Sequence, residues 1–294
     1  MFKNSELKAQ KNLVLVTFLF IPTILILLFV IYPLIKLIFL SFTNWDGLNP
    51  TYNYVGLKNF KKIIFDSPEV WAAFKNNGIY FVGHILFIPI ELFLAFLLDN
   101  RVKCCKTFKT ITFLPYMING VAVACMFIFL YSSQDGVLNN MLQYFHLNKV
   151  GWLSDPSIVN YSLTAVSLWR FSGVHIILFL VAFQSLPQDM TEAAVIDGAN
   201  SFQQFHKIVL PNIKPVVEIV LFLNVRGALQ VFDIPYVMTG GGPNHASETF
   251  AVQTINTAFQ YNNFGMACAM AVVLMIIIIV FSIIQQKLFN AKGR

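Results

Sequence analysis

Long apolar runs alternate with short polar segments along almost the whole chain. Six of these runs are long enough for a helix to cross a lipid bilayer, which takes about 20 residues. They cover residues 13–40, 78–98, 110–131, 159–181, 216–238 and 266–289. The first run exceeds the required length, so its helix is expected to tilt or to extend past the membrane. The pattern therefore predicts an all-α polytopic membrane protein with six transmembrane helices.

The composition supports burial in lipid and excludes a soluble fold. Hydrophobic residues make up 57% of the chain and charged residues only 12%, against about 25% charged residues in soluble domains. The mean hydropathy is +0.67. The apolar run that begins at Leu13 is far longer than the core of a signal peptide, and no small-residue cleavage site follows it. The first span is therefore expected to remain uncleaved.

The basic residues between the runs predict how the spans are oriented. Five basic residues lie in the first and third loops, and the fifth loop has none. Twelve lie in the two terminal segments and in the second and fourth loops, and they are Lys3, Lys8, Lys11, Arg101, Lys103, Lys106, Lys109, Lys207, Lys214, Lys287, Lys292 and Arg294. Because loops rich in Lys and Arg stay in the cytoplasm, both termini are expected inside the cell. The chain then comprises a cytoplasmic tail at 1–12, a transmembrane domain at 13–289 and a second cytoplasmic tail at 290–294.

The sequence shows no pattern for catalysis, for a cofactor or for a metal. It has no GxxxxGK[ST] loop that could hold ATP phosphates, and its five histidines are scattered without an HExxH motif. Its four cysteines have neither metal-site nor redox spacing. The placement of the basic residues in cytoplasmic loops accounts for the positive charge, so nucleic acid is not expected as a partner.

Polar residues inside the fifth run form a candidate solute path. On one continuous helix Arg226, Gln230 and Asp233 lie at i, i+4 and i+7 and share a face, and Asn224 belongs to the same run. Ionisable residues are costly in lipid, so this stripe is expected to face a cavity or another helix. Two interpretations stay open: a path for a hydroxylated solute, and a set of polar contacts between helices.

The fourth run carries a second polar patch, around Trp169 and Arg170, with Ser167, Ser172 and His175 nearby. An aromatic ring beside polar groups suits a sugar, which has apolar faces and hydroxyl edges. Trp169 could equally pack between helices or anchor the chain at the membrane interface.

The fourth loop differs from the others because its sequence predicts regular structure. Asp189 is placed to cap a helix, with Glu192 three residues later as in a capping box. Gly198 permits a change of direction, and Asn200 or Ser201 can cap a second helix. Pro211 is expected to end that helix.

The loop at 189–211 is therefore predicted to form two short helices on the cytoplasmic face. Such helices can rest on lipid, but three acidic residues in the loop disfavour an anionic lipid surface. A protein partner is the better interpretation.

The same loop resembles the EAA loop in the permease subunits of ABC importers. That pattern reads E-A-A, three residues, G, nine residues, I, one residue, L-P. The residues that match it, or that extend it toward the carbohydrate-importing branch, are Glu192, Ala193, Ala194, Asp197, Gly198, Ala199, Ile208, Leu210 and Pro211. The resemblance implies that these residues couple the spans to an ATPase.

Other segments resemble sugar permeases of the maltose and glycerol-phosphate type, in the order in which that family has them. They are residues 32–33, 41–45, 55–60, 113–116, 136–142 and 232–243. Arg226 departs from the apolar or small residues expected at its position. Its presence leaves the identity of the solute open, with an acidic or phosphorylated solute as one alternative.

The resemblance also implies a set of partners in the cell membrane of a prokaryote. This subunit would pair with a second, homologous permease, and together they would open a path alternately outward and inward. Two cytoplasmic ABC ATPase subunits would hold the loop helices in a cleft. An external solute-binding protein would deliver the sugar, and no cofactor would bind to this chain.

Two other classes of function compete with this one. A stand-alone secondary transporter needs a coupling carboxylate deep in the membrane, for which Glu91 is the only candidate. An intramembrane enzyme needs clustered catalytic residues, and the sequence shows none.

Overall fold

The computed structural model describes residues 2–99 and 105–291, and within them all regular structure is helical. The α-helices are α1 (Phe2–Ile26), α2 (Tyr32–Leu40), α3 (Lys58–Phe65), α4 (Pro68–Leu98), α5 (Cys105–Met117), α6 (Gly120–Leu130), α7 (Val137–Tyr144), α8 (Val159–Gln184), α9 (Gln188–Ile196), α10 (Ser201–Gln204), α11 (Leu210–Asn212), α12 (Lys214–Leu229), α13 (Asp233–Thr239), α14 (Phe250–Phe259) and α15 (Phe264–Ala291). Two π-helical segments, Leu27–Ile31 and Phe205–Val209, lie within this order. The all-α prediction is confirmed.

Five of the six predicted spans correspond to helical segments that are long and apolar enough to cross a membrane. They are Leu13–Leu40, Pro68–Leu98, Val159–Gln184, Lys214–Thr239 and Phe264–Phe289. The second begins at Pro68 rather than at residue 78, because a proline at the first helical position and Glu69 in the first turn favour a start there. Four of the basic residues used to predict the orientation lie outside the described residues, namely Arg101, Lys103, Lys292 and Arg294.

The third span differs from the continuous helix that was predicted for residues 110–131. Helices α5 and α6 meet there at an angle of 98°. Asn119 starts α6, because its side-chain oxygen accepts a hydrogen bond from the backbone N–H of Val121 at 2.9 Å. Pro115 removes a backbone donor close to the end of α5. The bent pair counts as a sixth span only if both helices are taken together.

The described residues divide into two compact units. Unit 1 contains the chain up to Asp66 together with Thr254–Val273, and unit 2 contains Ser67–Gln253 together with the chain from Leu274 onward.

Unit 1 fixes the segment that follows α2 through polar and aromatic contacts. The Asn59 side chain donates hydrogen bonds to the carbonyls of Ser41 and Thr43 at 2.9 and 2.8 Å. Phe42 packs against Phe60 with ring centroids 5.3 Å apart. Helix α3, which carries both Asn59 and Phe60, lies in the first loop.

Unit 2 is built around the contact of α4 with α8. Buried positions on α4 recur every three or four residues, which is the spacing of one helical face. They are Val70, Ala73, Asn77, Tyr80, His84, Ile88, Glu91, Ala95 and Leu98. Some of these positions are polar or ionisable, so the face that α4 buries is not a simple apolar stripe.

The core of unit 2 consists of two apolar clusters with a polar layer between them. Tyr80 on α4 belongs to the first cluster, Ile88 belongs to the second, and His84 lies between them in sequence. On α12 Asn224 lies in the same way between Val220 of the second cluster and Ala228 of the first. The same succession on α8 places Ser167 and His175 between the clusters. A polar layer inside an apolar membrane domain is the part of the fold that can hold a polar ligand.

Candidate functional site

The polar layer of unit 2 opens into a cavity of about 380 Å³. Four helices contribute to its lining, namely α4, α5, α8 and α12. The lining residues are His84, Tyr116, Ser167, Phe171, Val174, His175, Leu223, Asn224, Arg226, Gly227, Ala228 and Gln230. Aromatic faces next to hydrogen-bonding groups make this lining suitable for a small ligand with apolar faces and polar edges.

Three of the four polar residues predicted on the fifth span line this cavity. Asn224 is buried, while Arg226 and Gln230 are exposed to the cavity and its opening. Arg226 Nε donates a hydrogen bond to Gln230 Oε1 at 3.1 Å. The i, i+4 relation expected from the sequence therefore holds for these two side chains.

Asp233 does not belong to this stripe, and the prediction that it shares a face with Arg226 is wrong. Helix α12 ends at Leu229 and α13 begins at Asp233, so no continuous helix carries the i, i+7 relation. Asp233 instead forms an ion pair with Arg170 of α8. The structure thus brings two predicted candidates together, but as partners of each other rather than as part of the cavity lining.

The Arg170–Asp233 ion pair lies against Gly120, the first residue of α6. A Cβ atom at this position would overlap the Asp233 carboxylate and the Arg170 guanidinium. The guanidinium also lies over the ring of Phe171, 4.9 Å from its centroid. The pair therefore joins α8 to the starts of α6 and α13, at the breaks in the third and fifth spans.

Trp169 does not line the cavity. It packs edge-on against Phe127 of α6, with ring centroids 5.3 Å apart, and its other face is exposed. This contact fits the packing interpretation that was left open for this residue.

Sequence reasoning did not predict the buried polar pairs at the cavity wall. His175 Nδ1 lies 3.0 Å from Glu91 Oε1, and both residues are almost completely buried. His84 Nε2 lies 2.9 Å from Ser167 Oγ. The signal that could have identified them is the recurrence of polar residues on α4 at helical spacing inside an apolar run.

The break between α12 and α13 is closed by side chains from distant parts of the chain. The Asn77 side chain donates to the carbonyls of Ala228 and Leu229, at 2.6 and 3.3 Å, and accepts from the backbone N–H of Phe250 at 2.9 Å. Thr249 Oγ1 donates to the carbonyl of Val231 at 2.8 Å. Three carbonyls at the break are therefore bound by side chains of the same unit.

The loop between the fourth and fifth spans contains the predicted helices. Helix α9 ends before Gly198, whose φ of +81° reverses the chain direction. Asn200 caps the following helix: its Oδ1 accepts from Gln203 N at 2.8 Å, and the Gln203 side chain accepts from Asn200 N at 2.9 Å. This reciprocal arrangement is a capping box, and the prediction of a cap at Asn200 or Ser201 is confirmed for Asn200.

Two details of the loop differ from the prediction. Helix α9 begins directly after Pro187, so Asp189 lies in its first turn instead of capping it. Pro211 does not end the second helix, which continues to Asn212 as α11. The π-helical segment Phe205–Val209 precedes this proline, and a wider turn at that point accommodates its missing N–H.

The loop exposes large apolar side chains. Ile196 is 86% exposed and Phe202 is 74% exposed, whereas Ala194 is buried. Glu192, Ala193 and Asp197 are exposed as well. Farther along, Ile208 and Leu210 are half-buried, and Leu210 packs against the second apolar cluster of unit 2.

Comparison with known proteins gives matches along nearly the full length of the chain. A family described as "Binding-protein-dependent transport system inner membrane component" matches residues 1–292. The chain is 34% identical over 286 residues to the probable ABC transporter permease protein YurN of Bacillus subtilis (strain 168), which covers 96% of this chain and 98% of the relative. It is 32% identical over 274 residues to the multiple sugar-binding transport system permease protein MsmF of Streptococcus mutans serotype c, covering 92% and 93%.

The fold is also similar to that of a solved structure. A chain in the crystal structure of a bacterial ABC transporter involved in the import of the acidic polysaccharide alginate superimposes with a TM-score of 0.85. The match covers 98% of each chain at 24% sequence identity. At this identity the likeness establishes the fold.

Proposed function

The chain belongs to the family of inner membrane components of binding-protein-dependent transport systems, and from that premise we propose that it is the permease subunit of an ABC importer for a sugar or sugar-like solute. Relatives named as permeases of sugar transport systems support the solute class. They include MsmF and the trehalose/maltose transport system permease protein MalF of Thermococcus litoralis, to which the chain is 29% identical over 263 residues. ATP hydrolysis belongs to a partner chain in this proposal.

The cavity of unit 2 supports a solute path. Its lining combines the rings of Tyr116 and Phe171 with the polar side chains of Asn224, Arg226 and Gln230. Sugar rings need this combination, because their apolar faces stack on aromatic groups while their hydroxyls form hydrogen bonds. In the proposal the second, homologous permease completes the open side of the cavity.

The observation that carries the coupling role is the exposed apolar surface of the loop helices. Val195, Ile196 and Phe202 are 61%, 86% and 74% exposed in the isolated chain, and Phe202 also lines an apolar groove with Phe93 and Phe96 of α4. An exposed apolar patch on a structured loop is typical of a protein contact. We assign this surface to a cleft on one of two cytoplasmic ATPase subunits, with Gly198 setting the angle between the two helices.

In the proposal both termini and the loop lie in the cytoplasm, and the excess of basic residues in these segments supports that orientation. In the proposal an external solute-binding protein docks on the opposite side of the membrane. In a variant whose native cysteines are replaced by serine, a cysteine at Tyr144 is expected to react with a membrane-impermeant maleimide from outside. A cysteine at Phe202 is expected to react only after the membrane is opened.

The coupling role is tested by Ile196→Asp in the assembled importer. Burial of an isoleucine side chain contributes about 1.5–3 kcal/mol, so loss of this contact is expected to lower ATP-driven uptake at least about tenfold. Because Ile196 is 86% exposed in the chain by itself, the substitution should leave membrane insertion unchanged. Tyr144→Asp is the matched control, since Tyr144 is 81% exposed on a helix of the third loop.

The measurements are ATP-dependent uptake into proteoliposomes and copurification of the ATPase subunit. The coupling role is contradicted if Ile196→Asp lowers uptake no more than Tyr144→Asp does. Uptake by this chain and its permease partner without any ATPase would instead favour the stand-alone secondary transporter.

A further inference from the structure

We propose that the transported sugar is anionic, and that a carboxylate or phosphate group on it is bound by Arg226 in the cavity of unit 2. The inference rests on the proposed function, because it takes this cavity as part of the solute path. It adds the charge of the solute, which the class of sugar permeases leaves open.

The first argument is that Arg226 carries the uncompensated charge of the cavity region. Among the described residues Arg226 forms no ion pair, and its Nε donates to the neutral side chain of Gln230. The other arginine nearby, Arg170, pairs with Asp233. The two histidines of the lining are also engaged: His175 lies against Glu91, and His84 lies against Ser167 Oγ. An arginine inside a membrane domain is costly unless it has a counter-charge or lies in water.

The second argument is that the cavity offers hydrogen-bond donors that have no acceptor. Asn224 lines the cavity, is buried and interacts with the side chain of His84, but its Nδ2 makes no hydrogen bond of good geometry. The guanidinium of Arg226 has five N–H donors, of which Gln230 engages the one on Nε. Ser167 Oγ is already occupied by His84. A ligand rich in acceptor oxygens satisfies this lining better than a ligand whose hydroxyls both donate and accept.

The third argument is geometric. Gln230 directly follows the last residue of α12, and its contact with Arg226 across one helical turn holds the guanidinium at the cavity wall. A guanidinium presents its donors as a planar fork that matches two oxygens of a carboxylate or a phosphate. Carboxylate and phosphate share this chemistry, so the two sources must be separated by experiment.

The test uses the complete importer, purified with its partner permease, ATPase and solute-binding protein and reconstituted in proteoliposomes with ATP. The probes are glucose, glucuronate and glucose 6-phosphate, and the three β-1,4-linked disaccharides that carry these units at the non-reducing end. Uptake is measured for the native chain and for Arg226→Gln, Arg226→Lys and Lys149→Gln. Lys149→Gln is the matched control, because it removes one positive charge from the third loop, where Lys149 donates to the carbonyl of Gln134.

The expected result is ATP-driven uptake of an anionic probe in preference to its neutral counterpart. Arg226→Gln should raise the KM for that probe about tenfold or more, as expected for loss of a hydrogen bond to a charged group. Arg226→Lys should recover part of the loss because it keeps the charge, and Lys149→Gln should change nothing. The uronate and phosphate arms identify which anion is carried.

The inference is overturned if the neutral probes are taken up as fast as the anionic probes or faster. It is also overturned if Arg226→Gln changes the KM no more than Lys149→Gln does. Both results leave the proposed function standing. Loss of the assembled complex in Arg226→Gln on size-exclusion chromatography also overturns it, because Arg226 would then pair with a carboxylate of the second permease. Absence of ATP-driven uptake for all six probes overturns the proposed function together with the inference.

Discussion

The buried contact between Glu91 and His175 allows a quantitative test of how unit 2 is held together. Glu91 is completely buried, and both of its carboxylate oxygens lie within 3.1 Å of His175 Nδ1. Glu91→Ala removes the partner of a buried imidazole and leaves its polar nitrogen facing a cavity. Removal of one member of a buried pair typically destabilises a protein by about 3–5 kcal/mol.

This loss predicts a clear change in thermal stability. One kcal/mol shifts the unfolding midpoint by about 2–4 °C in domains of 150–250 residues, so Glu91→Ala is expected to lower it by about 6–20 °C. The assay is thermal unfolding of the purified chain in detergent at one scan rate, followed by circular dichroism. Glu69→Ala is the control on the same helix, because Glu69 is exposed and its removal should shift the midpoint little.

A double variant separates two contributions to stability: the destabilisation caused by leaving one buried residue unpaired, and the net stabilisation that the pair itself provides. Replacement of both residues, Glu91→Leu with His175→Leu, is expected to restore most of the midpoint, since buried pairs can often be replaced by apolar side chains at little cost. The reasoning is refuted if Glu91→Ala unfolds within about 2 °C of the native chain, because one kcal/mol alone produces a shift of at least this size. Retained ATP-driven uptake in the double variant would also exclude Glu91 as the coupling carboxylate of a secondary transporter.

Substitutions at Gly120 and Asn139, each with a control, test the helix break before α6 and the third loop. Gly120→Ala should disrupt the Arg170–Asp233 pair and lower the unfolding midpoint. The control is Gly227→Ala, where a Cβ meets nothing within 4 Å, and it should be neutral or stabilise its helix by about 0.5–1 kcal/mol. Equal shifts of the midpoint in the two variants would contradict this prediction. Asn139→Ala should destabilise the chain by about 2–4 kcal/mol, because this buried amide makes four hydrogen bonds within the third loop. Asn139→Asp should not restore the native stability, since a carboxylate lacks the two N–H donors of the amide. A midpoint for Asn139→Asp equal to that of the native chain would show that the donors are dispensable.

The spans could be predicted from the sequence because their signal is local. An apolar run of sufficient length specifies a helix in lipid whatever its neighbours are, and the structure has helices at all six runs. The cap at Asn200 and the turn at Gly198 were also predictable, since each depends on residues within a few positions of it.

The breaks and the pairings could not be predicted in this way because they depend on distant residues. Nothing near Gln230 in sequence marks the end of α12; the carbonyls freed there are bound by Asn77, about 150 positions earlier. Once the helix ends, Asp233 leaves the stripe and meets Arg170. The same holds for Glu91, whose role depends on His175 of another helix.

The closure of the α12–α13 break has a mechanical consequence. A kink whose carbonyls are bound by side chains from elsewhere in the same unit resists straightening, because straightening would leave the Asn77 amide and the Thr249 hydroxyl without acceptors for their hydrogen bonds. Such a kink cannot serve as a hinge. Since Asn224 and Arg226 lie on α12 before the bend, a displacement applied at the loop end of α12 is expected to reach the cavity wall and then to continue into α13 rather than be absorbed at the bend.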